Sequence, residues 1–384
     1  MEHVATQRRR HEPPPTGTRA EEATLTKWGV FSLSQFPDQS KRVECFDNDL
    51  KFFELAEEIG FDKAWIAEHL FSTYGVVTST QVYAAAIAER TRKLRIGIAV
   101  VAMPFNHPLR TASDFALVDV LSHGRLDLGV GRAYQPHEFV GLGVPMEKSR
   151  EMTIEATDIV VKAWTEEKIS YKGQFWTIPD PVEVLPKPVQ QPTPPIYTAV
   201  ISPDSFKFAA ERGLNLQMAS PFTYRTYRET WIAELEKSVK DYEALMKKAG
   251  RDPSKTQRMI LLPFFCHEDG KKAREIYKPH VEWFYNKVTA NQLSQKSAGP
   301  VKGYELTMTE GAKTRELGFL AFEKLDQYRA AVVGDPDECV SVLKEMKERF
   351  GLTEFCLWYN IGGIAPEHVE RSMRLTAEKV LPRV

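Results

Sequence analysis

The sequence predicts an α/β fold, a (β/α)8 TIM barrel with insertions, and two observations predict it. Short apolar strands alternate with amphipathic helices eight times between Trp28 and the C-terminus. Such alternation implies a parallel sheet, because parallel neighbours need crossover helices. The rival is an open doubly wound sheet, which would carry a glycine-rich phosphate loop directly after its first strand. Leu33-Ser-Gln-Phe-Pro37 stands there instead, and neither GxGxxG nor GxxxxGKS/T occurs anywhere in the chain. A length of 384 residues accommodates one barrel with insertions.

Residues 1–26 are polar, with Pro13-Pro14-Pro15 and Glu21-Glu22, and read as a mobile N-terminal arm; the barrel takes 27–384. Trp28–Leu33 is the first strand. A helix from about Asp49 gathers Phe52, Phe53, Ala56 and Ile59 on one face and stops at Gly60. Strand two is Ala64–Ala67, and a helix over about 80–91 leads to strand three, Leu94–Ala102. Pro108 opens the next helix at the position proline tolerates best, and Gly124 closes it before strand four, Arg125–Val130. A helix over about 147–166 precedes the first insertion, about 170–195, where prolines at 179, 181, 186, 188, 192, 194 and 195 forbid helix. That stretch reads as an excursion across the surface. Strand five is Ile196–Val200, followed by a helix after Pro203. Strand six lies near Leu214–Ala219, a long helix covers about 226–249, and strand seven is Met259–Cys266. The second insertion, about 270–330, carries Trp283, Phe284 and Tyr285 and reads either as a lid or as a packing excursion. A helix over 336–349, strand eight at Glu354–Tyr359 and a last helix from Pro366 complete the pattern.

A formal net charge of −1 supplies no global field to draw nucleic acid or a membrane surface, which points to a small-molecule partner. No apolar run reaches the roughly 18 residues of a membrane helix, and no apolar h-region follows Arg8-Arg9-Arg10. Cys45, Cys266, Cys339 and Cys356 are scattered without a CxxC pair. That argues against a disulfide framework or a zinc site and makes a reducing cytoplasm the expected location.

Active sites of such barrels lie at the carboxyl ends of the strands. Strand two ends in Glu68-His69, strand three in Val101-Ala-Met-Pro-Phe-Asn-His-Pro108, strand four in Gly129-Val-Gly-Arg132, and strand five in Val200-Ile-Ser-Pro-Asp-Ser205. These tips should converge on one mouth. His69 directly terminates its strand, which suits either an imidazole exchanging protons with a ligand or a histidine held by a loop carbonyl. Glu68 is expected in a structural salt bridge, with orientation of the ring as the alternative. Gly131 lets the chain approach a ligand closely, and Arg132 then offers a fork of donors matched to phosphate, or a surface ion pair. Ser202 and Ser205 flank Pro203 at a helix start, where hydroxyls and free N–H groups form an anion site or a simple N-cap. His107 reads as a capping or loop residue.

At these residues the chain resembles the bacterial luciferase family of flavin-dependent monooxygenases. Glu68-His-Leu-Phe71 resembles its EHHF element, and Gly97-Ile-Ala-Val-Val-Ala-Met-Pro-Phe-Asn-His-Pro108 looks like its third strand. Asp119-Val-Leu-Ser-His-Gly-Arg125 with Gly129-Val-Gly-Arg132 is similar to its LDxLSxGR…GxGRG signature, and Ser202-Pro-Asp-Ser205 sits where the family binds phosphate. The resemblance implies that His69 is the catalytic acid or base near the reactive edge of a flavin. It implies a non-prolyl cis peptide at Ala99-Val100 under the isoalloxazine ring. It also implies a cofactor set of Ala99, Val100, Gly131, Arg132, Val200, Ile201, Ser202 and Ser205, with no metal. The chemistry implied is two-component: a separate flavin reductase supplies reduced FMN, which forms a C4a-peroxyflavin with O2 and oxygenates a small organic substrate. A homodimer follows by the same analogy. Leu70 departs from the second histidine of EHHF, and Gly131 stands where luciferase carries a reactive cysteine, so neither the substrate environment nor light emission carries over. The alternatives are an oxidoreductase using deazaflavin F420 on the same barrel, and a non-catalytic flavin-binding subunit. The retained Glu68-His69 favours FMN over F420.

Overall fold

Twelve strands occur among the residues described by the computed structural model, which are 25–289, 301, 304 and 321–384. They are β1 (Lys27–Ser32), β2 (Lys63–Ile66), β3 (Arg95–Ile98), β4 (Val101–Ala102), β5 (Leu126–Gly131), β6 (Ile169–Lys172), β7 (Thr177–Val182), β8 (Ile196–Ala199), β9 (Asn215–Ala219), β10 (Arg258–Cys266), β11 (Val332–Gly334) and β12 (Glu354–Trp358). Eight of them, in the order β1-β2-β3-β5-β8-β9-β10-β12, pair in parallel and close on themselves. This is the predicted (β/α)8 barrel, and each of its strands falls where the alternation in the sequence places one. The N-terminal arm, for residues 1–24, lies outside the described residues.

The helices are α1 (Arg42–Glu58), α2 (Thr80–Arg90), α3 (Pro108–Leu121), α4 (Pro136–Leu142), α5 (Ser149–Thr165), α6 (Pro203–Arg212), α7 (Ser220–Tyr227), α8 (Trp231–Lys248), α9 (Gly270–Glu282), α10 (Phe322–Gln327), α11 (Pro336–Phe350) and α12 (Pro366–Lys379). No described helix is long and apolar enough to cross a membrane. Four details differ from the sequence pattern. Helix α1 starts at Arg42 rather than near Asp49; its first turns mix the exposed Val43 with Glu44, Asp47 and Asn48, which blurs the apolar stripe there, and Asp38 caps the single turn leading into it. The helix expected over 226–249 is two, broken where Arg228 takes φ 53°. The surface excursion at 170–195 contains an antiparallel hairpin, β6 with β7, which tolerates Pro179 and Pro181 because a two-stranded ribbon leaves one edge free of ladder bonds. The stretch read as strand three is split into β3 and β4.

The lower barrel is filled by charge as well as by hydrocarbon. Lys63, Arg95, Asp127 and Glu354 stand at or near the amino ends of their strands. Lys63 lies 2.5 Å from Asp127 and 2.8 Å from Glu354, and Asp127 also pairs with Arg95. Trp65 donates its ring N–H to Glu354 and lies edge-on to Tyr197. Burial alone would lower the Lys63 ammonium, but Asp127 and Glu354 outweigh it and hold it well above its ordinary value. For Asp127, burial raises the carboxyl, yet Lys63 and Arg95 pull it below the usual range. Conserving charge neutrality at this end leaves the opposite, carboxyl end for chemistry.

Candidate active site

The strand tips do converge. At the carboxyl end of the barrel they line one cavity of about 640 Å³, within the range of roughly 300–1,000 Å³ typical of cofactor and ligand clefts. Its wall includes each residue expected in catalysis or cofactor binding: His69, Ala99, Val100, Gly131, Arg132, Val200, Ile201, Ser202 and Ser205.

His69 follows β2, and its ring is oriented by residues from the β5–α4 region. Nδ1 lies 3.0 Å from the Glu138 carboxylate and 2.8 Å from the Gln135 amide, while the same Glu138 oxygen accepts the Leu70 N–H at 2.9 Å. The carboxylate is an acceptor and suits an Nδ1–H, whereas the Gln135 Nε2 is a donor and suits a bare Nδ1, so the two contacts favour opposite tautomers. With the proton on Nδ1 beside Glu138, Nε2 is the nitrogen with which His69 exchanges a proton. Among the described residues no loop carbonyl holds the ring. Tyr74 and Tyr134 meet it edge-on, at 4.5 and 5.9 Å between centroids. Glu138 belongs to α4, which the apolar pattern does not reveal over so few residues. Pro136 at its first position and Gly143 after its end are the signals that mark it.

Among the described residues Glu68 makes neither the expected salt bridge nor a hydrogen bond to the His69 ring. Its carboxylate accepts the Ala102 N–H at 2.8 Å and the Thr80 hydroxyl at 3.2 Å, so it ties β4 to the start of α2. Burial pushes this carboxyl above the usual range. Between β3 and β4 the Ala99-Val100 peptide is cis, and a Cβ added at Gly131 would stand 2.4 Å from the Val100 side chain. Only glycine fits there, because the Val100 side chain fills the space a Cβ would need. His107 caps α3, its Nδ1 accepting the Leu109 N–H.

Ser202 occupies the N-cap position of α6 but makes no side-chain cap bond. Ser205 instead folds back, accepting the Ile201 N–H at 3.1 Å and donating to the Ser202 carbonyl at 2.6 Å. The Ser202 hydroxyl is therefore left near the ten-residue helix start, where backbone N–H groups favour an anion. Arg132 lines the same cavity with its guanidinium 4.0 Å from the Tyr304 ring centroid. Tyr304 in turn donates to the Ala133 carbonyl and shares a hydrogen bond with Ser149. Tyr304 lies in the second insertion, far from any strand tip in sequence, and nothing in the chain pattern points to it. Of that insertion, residues 290–300, 302–303 and 305–320 lie outside the described residues, while Phe284 and Tyr285 are buried in the core.

The residues present fit a flavin mononucleotide. A helix start with the Ser202 hydroxyl, held by a 3.4 Å bond to Ser205 Oγ, and an arginine suits its phosphate. Gly131 brings the chain close to the cavity without a side chain of its own, which suits close approach of a ring system. The buried Gln217 Oε1, which has no hydrogen-bond partner while its Nε2 donates to the Ile98 carbonyl, offers an acceptor in the cavity wall.

Comparisons with known proteins agree with this geometry. The alkanal monooxygenase alpha chain of the Kryptophanaron alfredi symbiont is 26% identical over 93% of this chain and 98% of its own length. Among solved structures, the monooxygenase RslO1 from Streptomyces bottropensis superposes with a TM-score of 0.79 at 29% identity, covering 93% of this chain and 99% of its own. The oxygenating constituent of 3,6-diketocamphane monooxygenase from Pseudomonas putida, solved with FMN, shares the fold with a TM-score of 0.76 at 18% identity, over 94% of this chain and 99% of its own. The barrel also serves another cofactor: the coenzyme F420-dependent tetrahydromethanopterin reductase of Methanopyrus kandleri gives 0.69 at 20% identity, over 94% and 99%. The model of the luciferase-like monooxygenases matches residues 26–354, and with the barrel and its converging tips this establishes that the chain is an enzyme of the luciferase-like monooxygenase family.

Proposed function

We propose that the protein is the oxygenase of a two-component system, taking reduced FMN from a separate flavin reductase and using O2 to oxygenate a small organic substrate. One observation carries this reading: a histidine whose Nδ1 lies 3.0 Å from a carboxylate stands in the same cavity as Arg132, the start of α6 and a Gly131 that has no room for a side chain. Reduced FMN, when bound, supplies the electrons that activate O2, so that one oxygen atom can pass to the substrate and the other leave as water.

The chain's own residues do the rest. Arg132, Ile201, Ser202 and Ser205 hold the phosphate end, and Ala99, Val100, Gly131 and Val200 support the ring system. His69 gives or takes the proton that oxygen transfer requires, with Glu138 orienting its ring. Tyr74, Tyr134, Phe222 and Trp358 wall the cavity with apolar surface and exclude water. The four free thiols fit a reducing cytoplasm, and we place the protein there as a homodimer.

Anaerobic titration of the purified protein with reduced FMN and, separately, with F420 tests the cofactor. Saturable binding of reduced FMN is expected. A reductase-coupled FMN supply should then yield oxygenated products from a panel of aldehydes, ketones and sulfonates. Tight F420 binding with hydride transfer would replace this reading with an F420-dependent oxidoreductase.

A further inference from the structure

Arg225 lines the cavity from α7 and is only 4% exposed. Among the described residues it has no ion-pair partner, and its Nε–H is buried without an acceptor. Guanidinium groups do not deprotonate in proteins, and a buried charge without a counter-charge opposes folding. Its compensation comes from aromatic faces: Phe222 at 5.3 Å and Tyr134 at 6.0 Å from the guanidinium carbon. Stacking uses the faces of the group and leaves the planar fork of donors for something else.

We propose that Arg225 is the docking point for a carboxylate on the substrate, so that the cavity takes a small organic acid with an apolar or aromatic body. The proposal rests on reading this cavity as the oxygenase site. The cofactor's phosphate does not need Arg225, since Arg132 and the start of α6 already form a cradle for it. A planar fork matches a planar carboxylate in two parallel hydrogen bonds. Tyr134 adds a third donor: its hydroxyl is buried without a hydrogen-bond partner, and burial pushes it up to about 12, so it keeps its proton. The Tyr134 ring lies 6.0 Å from that of Phe222 and 5.9 Å from that of His69. One aromatic ring therefore separates the anchor from the proton-exchanging histidine, and an acid held by its carboxylate would present a group a few bonds away to the reacting edge. A buried unpaired arginine costs stability, which is the signature of a site kept for a ligand rather than for the fold.

Isothermal calorimetry on the FMN-loaded full chain, with phenylacetate and cyclohexanecarboxylate against phenylacetamide and cyclohexanecarboxamide, tests it. The wild type should bind the acids at least tenfold more tightly than their uncharged isosteres. Arg225→Met should abolish that preference, and Arg225→Lys should retain part of it. Arg225→Met should also unfold at a temperature no lower than the wild type, because it removes an unpaired buried charge. Equal binding of acids and amides by the wild type overturns the proposal, as does an acid preference that survives in Arg225→Met. Loss of FMN affinity in Arg225→Met with the acid preference intact assigns the arginine to the flavin instead. If the wild type binds no FMN at all, the flavin reading fails on its own, and the acid-to-amide ratio measured without flavin still decides the role of Arg225.

Discussion

His69 and Glu138 act as a pair, and the two can be separated by substitution. His69→Ala removes the imidazole that lines the cavity beyond the end of β2. It should lower kcat by about 10²–10⁴-fold while FMN binding, followed by flavin fluorescence, stays within a few-fold of wild type. Unchanged product formation would take His69 out of the chemistry. Glu138→Gln keeps an acceptor for the Leu70 N–H but removes the charge that fixes the Nδ1 proton. It should lower kcat about tenfold, equivalent to ~1.4 kcal/mol, with KM little changed and flavin binding within a few-fold of wild type. A merely structural Glu138 would instead show as a lower Tm with kcat retained. His69 was legible because it ends a strand whose position the alternation defines. Glu138 and Arg225 were not, since their partners come from loops and short helices that one-dimensional periodicity does not order in space. Glu68 misled for a related reason: beside a histidine, a carboxylate suggests a charge partner, but backbone and hydroxyl donors were nearer.

At the scale of elements, β2, β3, β5 and β12 meet around two features that carry no catalytic role. Gly97 faces Trp65, and a Cβ there would approach its ring to 2.2 Å. Gly97→Ala should therefore cost about 1–3 kcal/mol through overpacking, read as a lower urea midpoint. Asp127 joins β5 to β2 and β3 through Lys63 and Arg95. Asp127→Asn leaves the buried Lys63 with Glu354 alone and the partly exposed Arg95 without its carboxylate, and should destabilise by about 3 kcal/mol. The pH dependence has a definite sign. The folded Asp127 carboxyl lies below its ordinary value, so its contribution is complete above the unfolded value of about 4 and is lost as pH falls through the folded one. Urea melts should show a constant gap between wild type and Asp127→Asn near neutrality that narrows below about pH 4. A gap that widens on acidification would contradict the assigned direction. The strands themselves were legible from apolar runs bounded by glycine and proline. The α7–α8 break was not, because a turn at Arg228 with positive φ leaves no glycine or proline to announce it.

For the whole molecule, the closed ring of parallel strands makes the cavity a meeting place of segments far apart in sequence, from Phe31 to Trp358. A ligand there clamps several loops to one rigid frame. Oxidised FMN at a hundred times its Kd should stabilise the protein by about 2.7 kcal/mol, seen as a rise in Tm, whereas riboflavin, lacking the phosphate, should do less. An equal shift from riboflavin would remove the cradle at Arg132 and α6 from the binding account. The fold class was readable end to end because every barrel strand is a local signal repeated eight times. The identity of the substrate was not, because the cavity walls are assembled from single residues, each on a different loop.

Trp358 closes the last strand with its indole fully buried and in the cavity wall, against Phe31 and Phe284. An indole shielded from water emits at short wavelength, and a flavin's absorption overlaps that emission. The molecule thus carries its own optical gauge: arrival of a flavin beside Trp358 should darken the blue edge of the protein's fluorescence, and departure should restore it, letting occupancy be timed without any label.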